Sequence, residues 1–248
     1  MLVHYAVADE VATLTLDSQH NRNALSRQLV TELFEGLTRA EDDAAVKAVL
    51  VRAEGRAFCS GADLSEASGG GMEEGARSIM ELQRRLLASP KPVVSRVHGA
   101  VRAGGIGIVA ATDIAICSRS ATFALTEVRL GLAAAMISLT VLPRMSSRAA
   151  SRTFLTGETF DGAAAADMGL VSAAVPDEDL DAEVDRVLTD LRKAHPQGLR
   201  EAKRLTNADL LARIDQEGDA MVALSSRLFA SDGAREAMTA FLSRSRPT

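Results

Sequence analysis

The stretch HGAVRAGGIGIVAATD, residues 98–113, follows the apolar strand pattern PVVSRV (92–97) and then sheds nearly every side chain. Gly99, Ala100, Ala103, Gly104, Gly105 and Gly107 all fall within it. Glycine costs backbone entropy on folding, so a chain this bare brings something close to its amide groups. An apolar helical pattern resumes from about Gly104 to Ala111, and the run reads as strand, turn, helix. VLVRAEGRAFCSGADL (49–64) repeats the design, an apolar strand emptying into small residues. Successive unpaired N–H groups at such turns attract negative charge, and the helix start adds its positive end in the 98–113 stretch. Tight strand–helix packing alone would account for one such stretch, but less well for two.

Working outward, VHYAV (3–7) and VATLTLD (11–17) alternate apolar and polar residues around Asp9-Glu10, the pattern of a hairpin. From Ser26 the period becomes helical, with Leu29, Val30, Leu33, Phe34 and Leu37 on one face. VKAVLVRAE (46–54) is the nearly continuous apolar run of a buried strand. SEASGGGMEEG (65–75) reads as a mobile loop at the edge of the site that Gly61 and Asp63 serve. Ile79, Leu82, Leu86 and Leu87 mark a helix stopped by Pro90 and Pro92. IAIC (114–117) and TFAL (122–125) are short strands. Helical segments run over 137–155 and 162–168, followed by a late strand, LVSAAV (170–175). After Pro176 four segments read as helix: 177–194, 196–208, 221–231 and 234–242. No repeat has a countable period and no linker interrupts the chain. The pattern predicts an α/β core over 1–194 and a helical C-terminal region over 195–248.

A chain of 248 residues suffices for one large domain with a full core. Its 47% hydrophobic and 25% charged residues are ordinary globular composition. A formal net charge of −5 argues against a general nucleic-acid binder. Cys59 and Cys117 each end an apolar run with no metal-ligand spacing, which suits buried thiols in a reducing compartment. MLVHYAVADE is not built as a signal peptide, and no apolar run approaches the ~20 residues of a membrane helix. The expectation is a cytoplasmic protein with no membrane partner.

Rival chemistries compete for the small-residue runs. Residues 105–110, GIGIVA, match the dinucleotide fingerprint G-x-G-x-x-A, and Ser118-Arg119-Ser120 beyond the next strand would suit a 2′-phosphate. That match lies well inside the chain rather than near its start. The single tyrosine, Tyr5, sits in the first strand, and the 49–64 stretch stays unexplained. Ser60 lacks the G-x-S-x-G elbow. His4, His20, His98 and His195 show no link to a nucleophile, and His98 reads as a packed, hydrogen-bonded residue. Glu127 differs, because TFALTEVRLGL (122–132) surrounds it with Phe123, Leu125, Val128 and Leu130. Partial desolvation lifts a carboxyl from its usual ~4.3 toward neutrality, where it can carry protons. An ion pair with Arg129 or another surface arginine is the competing account.

Taken in this order and spacing, FCSGADL (58–64), HGAVRAGGIG (98–107) and ATFALTEVRLGL (121–132) resemble the crotonase superfamily of enoyl-CoA hydratases and isomerases. The resemblance runs from LDSQHNRNAL (16–25) to SRLFASDGAREAMTAFLSR (226–244). It implies a ClpP-like spiral of β-β-α units with a helical trimerisation region, assembled as a homotrimer or homohexamer. It also implies an acyl-CoA thioester as substrate, with no separate cofactor and no metal. The family's enolate oxygen is held by two amide donors, which fall at Ala62 and Gly104, and its proton carrier falls at Glu127. The nucleotide-binding edge matches Asn23, Ala24 and Leu25 together with Ser60, Gly61, Asp63 and Leu64. Gly105 flanks the donors, and Met136 joins Ile137 and the glycine-rich loop in the acyl pocket. Phe241 and Arg244 correspond to residues that reach CoA from a neighbouring subunit, although Ser243-Arg244 replaces the usual Glu-Lys.

The second glutamate of well-known hydratases would stand at Gly107, and LAAAMIS (132–138) offers no replacement. A dehalogenase pattern, with tryptophan at 127 and aspartate near 135, is excluded. One carboxylate serves either water addition or double-bond migration. Similarity to bacterial 3-methylglutaconyl-CoA hydratases turns the expectation toward hydration. Arg102 would then meet a second carboxylate on the acyl chain, or else pair with a surface acid. A non-catalytic acyl-CoA binder on the same fold is the alternative outside enzymology. RNA binding draws little support from the modest Arg144–Arg152 cluster.

Overall fold

The hairpin forms at Asp9 and Glu10, whose φ values of 47° and 63° match the twist of a tight two-residue turn. It joins β1 (Val3–Ala8) and β2 (Val11–Leu16) antiparallel. The computed structural model describes residues 1–67 and 72–244. α1 (Arg27–Asp42) starts at Ser26, whose Oγ accepts from the Leu29 N–H at 3.2 Å, a standard N-cap.

Three strand–strand–helix units follow. The first is β3 (Ala48–Ala53), β4 (Ala57–Cys59) and α2 (Met72–Ala88). The second is β5 (Val93–Val97), β6 (Ala100–Arg102) and α3 (Gly104–Ala111). The third is β7 (Ile114–Ser118), β8 (Thr122–Ala124) and, after a 3-10 turn over Thr126–Leu130, α4 (Ala135–Arg144). The chain continues through α5 (Ser147–Thr156), β9 (Phe160–Asp161), α6 (Gly162–Asp167), β10 (Ala173–Val175), α7 (Leu180–Lys193), α8 (Pro196–Phe229) and α9 (Asp232–Arg244).

Each unit gives its first strand to one sheet, ordered β1-β2-β3-β5-β7-β10, and its second to another, ordered β4-β6-β8-β9. The stacked units pair in parallel within both sheets, which makes the spiral that the resemblance implies. The corner between β5 and β6 requires Gly99. Its φ is +66°, and a Cβ there would lie 2.2 Å from the Arg56 carbonyl oxygen.

The central strands of the large sheet are buried on both faces, which explains why β3 reads as a continuous apolar run. Leu14, Val49, Val51, Val93, Val97 and Cys117 face the main core, while Val11, Ala48, Leu50, Val94 and Ile116 meet Leu180, Val184 and Leu188 of α7. Cys59 and Cys117 are free and buried; burial pushes both thiols up to about 12.

The elements depart from the sequence expectation in several places. Residues 72–75, read as part of a loop, form the first turn of α2, and 65–67 lie in a 3-10 turn. β6 lies inside the bare turn after β5. The helical run over 137–155 is two helices, parted at Met145-Ser146. The segments 196–208 and 221–231 are the two ends of one 34-residue helix, α8.

α8 is fixed to the core by a buried ion pair. Lys203 Nζ lies 2.8 Å from Asp113 Oδ2 and donates to the carbonyls of Leu86 at 2.8 Å and Lys91 at 2.9 Å. Asp113 also accepts from Asn207 Nδ2 at 2.8 Å and from the Val93 N–H at 2.7 Å. Leu210, Ile214 and Val222 of α8 join the same apolar cluster as the strands. No helix among the described residues is long and apolar enough to cross a membrane.

Candidate active site

Beyond β4 the chain forms a single parallel bridge between Leu25 and Ala62. The Leu25 N–H donates to the Gly61 carbonyl at 2.8 Å, and the Leu25 carbonyl accepts from the Asp63 N–H at 3.4 Å. In parallel pairing the residue between those two contacts turns its own N–H to the opposite side. The Ala62 N–H therefore points away from Leu25, with no acceptor among the described residues.

The corresponding donor after β6 is the Gly104 N–H, the first of α3. Its N-cap residue, Ala103, supplies no side-chain hydrogen bond. The Ile106 N–H is satisfied by the Ala103 carbonyl at 2.8 Å, while the Gly104 N–H has no acceptor among the described residues. The orphan donors at a helix start carry its positive end. The two corners touch: a Cβ on Gly104 would lie 3.8 Å from the Ala62 nitrogen, and one on Gly61 would lie 3.6 Å from the Gly104 nitrogen. Ala62 and Gly104 line one cleft, of about 1010 Å³ counted to its open mouth.

Glu127 enters the same cleft from the turn after β8. Its Oε2 is shielded from solvent and has no hydrogen-bond partner among the described residues. Arg129 and the other described cations make no ion pair with it, so the surface-pairing account does not hold. Burial pushes the carboxyl up from 4.5 to about 7, opposed in part by a hydrogen bond from its own backbone N–H.

The place for a second carboxylate is packed solid. A Cβ on Gly107 would lie 2.4 Å from Ile137 Cγ2 and 3.0 Å from Gln83 Oε1. Gln83 is fully buried. It donates to the carbonyls of Ile79 at 3.2 Å and Met136 at 3.3 Å, and accepts from Thr140 Oγ1 at 2.7 Å.

Leu25, Ser60, Asp63 and Met136 line the same cleft. Burial alone would raise the Asp63 carboxyl, but hydrogen bonds from Ser65 and Asn21 outweigh it and hold the group below the ordinary carboxylate range. Gly61 sits between these residues, its φ of +94° giving the turn that presents Ala62.

Other residues singled out in the sequence have partners of their own within the fold. Asn23 is buried, with Oδ1 accepting from the Ser18 N–H at 2.6 Å and Nδ2 donating to Glu54 and Ala57 carbonyls. It ties its loop to the β3–β4 corner and stays outside the cleft lining, as does the buried Ala24. Gly105 is a packing residue, since a Cβ there would lie 2.7 Å from Cys59 Cβ. Among the described residues Arg102 meets neither a surface acid nor the cleft. It donates to the carbonyls of Val101 at 2.9 Å and Thr122 at 2.6 Å and to Thr122 Oγ1 at 3.1 Å.

The side chains of Leu64, Phe241 and Arg244 lie outside the described residues, as do residues 68–71 of the glycine-rich segment. Ala76 and Ile79 of α2 and Ser225 and Phe229 of α8 also line the cleft, and Glu66 adds a second carboxylate beside Asp63 at its edge. The sequence held no signal for the four helix residues beyond their place in amphipathic helices. Among the described residues no cluster of His, Cys, Asp and Glu could hold a metal ion.

The chain is similar to known proteins in both sequence and fold. The family model for enoyl-CoA hydratase/isomerase matches residues 7–248. A crystal structure of an enoyl-CoA hydratase from Mycobacterium avium is 46% identical with a TM-score of 0.93, covering 99% of this chain and 98% of that one. A protein of Bacillus subtilis described as a probable enoyl-CoA hydratase is 31% identical over 99% of this chain and 97% of its own length. A methylmalonyl-CoA decarboxylase, 20% identical with a TM-score of 0.88, covers 100% of this chain and 98% of that one and shares the fold alone. Fold by itself therefore leaves the reaction to be argued from the residues in the cleft.

Proposed function

The chain belongs to the enoyl-CoA hydratase/isomerase family, and we propose that it adds water across the 2,3 double bond of an enoyl-CoA thioester, with Glu127 carrying the proton. The observation that carries this reading is the unpartnered Glu127 Oε2 in the same cleft as the unpaired N–H groups of Ala62 and Gly104. Ionised Glu127 takes a proton from water as the water oxygen bonds to C3. The C2–C3 π electrons move toward the thioester, and the resulting enolate oxygen is held by the two N–H groups. The now neutral Glu127 returns its proton to C2, and the enolate collapses to the 3-hydroxyacyl product. A carboxyl near 7 is populated in both forms at neutral pH, as one group serving both proton steps needs.

Glu127→Gln removes the proton carrier while keeping its shape. Turnover of crotonyl-CoA should fall by roughly 10²–10⁴-fold, with thioester binding retained. Turnover within tenfold of the unmodified enzyme would take Glu127 out of the mechanism.

A second reading has its own support. With Ile137 and Gln83 filling the space beside Gly107, position 107 supplies no carboxylate to help hold water. Glu127 would then move a proton from C2 to C4 of a 3-enoyl thioester. Parallel assays with crotonyl-CoA and 3-hexenoyl-CoA, followed for hydroxyacyl product against double-bond migration, separate the two. Assembly as a homotrimer or dimer of trimers, with Phe241 and Arg244 reaching a neighbour's CoA, belongs to the same proposal. Mass by light scattering tests the assembly.

A further inference from the structure

Ala103 has φ +48° and ψ −121°, a backbone conformation that glycine adopts freely and an L-residue adopts only under constraint. Glycine is the unstrained choice here and is abundant in the surrounding sequence, yet position 103 carries a methyl group. The methyl has a definite neighbour. A Cβ built on Gly61 would lie 2.8 Å from Ala103 Cβ and 3.2 Å from the Arg102 carbonyl oxygen. Gly61 therefore leaves the space that the Ala103 methyl fills. These two residues immediately precede the two unpaired donors, so their contact lies between the peptide planes that carry the Ala62 and Gly104 N–H groups.

Gly61, at φ +94°, and Gly104 have no side chains to restrict their rotation. Donors aimed at developing charge are effective when they need no reorganisation during the reaction, and a misplacement of ~1 Å can cost roughly a hundredfold in rate. We propose that Ala103 is a positioning residue, its methyl wedged over Gly61 to fix the relative orientation of the Ala62 and Gly104 N–H groups at the expense of backbone strain. The inference rests on the reading of those two groups as thioester-oxygen donors.

The test compares Ala103→Gly with Ala103→Ser, which keeps a Cβ. Ala103→Gly should lose tenfold or more in kcat with KM within about twofold, and its thermal midpoint should be unchanged or raised. Ala103→Ser should recover kcat to within about threefold of the unmodified enzyme. An Ala103→Gly enzyme within threefold in kcat, an Ala103→Ser enzyme no better than Ala103→Gly, or a lowered midpoint in Ala103→Gly would each overturn the proposal. The infrared carbonyl stretch of bound butyryl-CoA, labelled with carbon-13 at the thioester carbon, separates this inference from the reading beneath it. The unmodified protein should lower that frequency relative to the free thioester, and Ala103→Gly should lose at least half of the change. No change in the unmodified protein defeats the donor reading itself; an equal change in both proteins defeats only the role of Ala103.

Discussion

Glu127 is held in the folded chain against its own preference for water. Its carboxyl titrates at about 7 because burial disfavours the ionised form. Below the ordinary value of 4.5 the group is neutral in both folded and unfolded chains and contributes no penalty. As pH rises from 4.5 to 7 the unfolded chain ionises first, and the folded state loses relative stability, reaching a full penalty on the order of 3 kcal/mol above 7. Glu127→Gln should therefore stabilise the ligand-free protein by up to about 3 kcal/mol at pH 8 and by almost nothing at pH 4. Urea unfolding at the two pH values checks this; equal gains at both would mean that the carboxyl is not perturbed. Gly107 is the opposite case, a position defined by what surrounds it. Gly107→Ala should lose about 1–3 kcal/mol through overpacking against Ile137, and an Ile137→Ala background should recover part of that loss. Purely additive losses would show that the contact is not the cause. The sequence disclosed the missing carboxylate at 107 but not its replacement, because Gln83 and Ile137 arrive from helices distant in the chain.

α8 shows where a periodicity reading stops at the level of an element. Its two ends were visible as apolar patterns, but the middle, DLLARIDQEGDA (209–220), is dense in charge and interrupted by Gly218. The helix continues because Leu210, Ile214 and Gly218 face inward while the charged residues lie on the outer face. Near its start Lys203 looks like any surface lysine in the sequence, yet it is buried against Asp113 and two carbonyls. Such a pair is weak evidence of net stability, but removing one partner strands the other charge. Lys203→Ala should cost about 3–5 kcal/mol, measured by chemical denaturation. Lys203→Met combined with Asp113→Asn should cost less than Lys203→Ala alone. If Lys203→Ala costs under ~1 kcal/mol, then Asn207 and the Val93 N–H suffice for Asp113, and α8 is held by its apolar face.

Across the whole molecule, the cleft is a product of stacking. Ala62 follows a strand of the first unit, Gly104 one of the second and Glu127 one of the third, while α8 closes the wall with Ser225 and Phe229. The alternation of strands and helices was legible, and so were the two depleted corners, because side-chain loss leaves a mark in any sequence. The three-unit repeat was not legible as a period. Its second strands, β4, β6 and β8, have three residues each, too few for alternation, and the helices between them differ in length. On the far face of the large sheet, α7 packs its own apolar cluster and is absent from the described lining of the cleft. Ligand binding should therefore be felt unevenly. Saturation with butyryl-CoA should slow amide hydrogen exchange in α2, at the α3 start and at the C-terminal end of α8, as bound thioester joins elements from both halves of the chain. Exchange through α7 should stay unchanged if local openings there are independent of the cleft. Equal protection of α7 would instead mean that the two faces of the sheet open only together, as one cooperative unit.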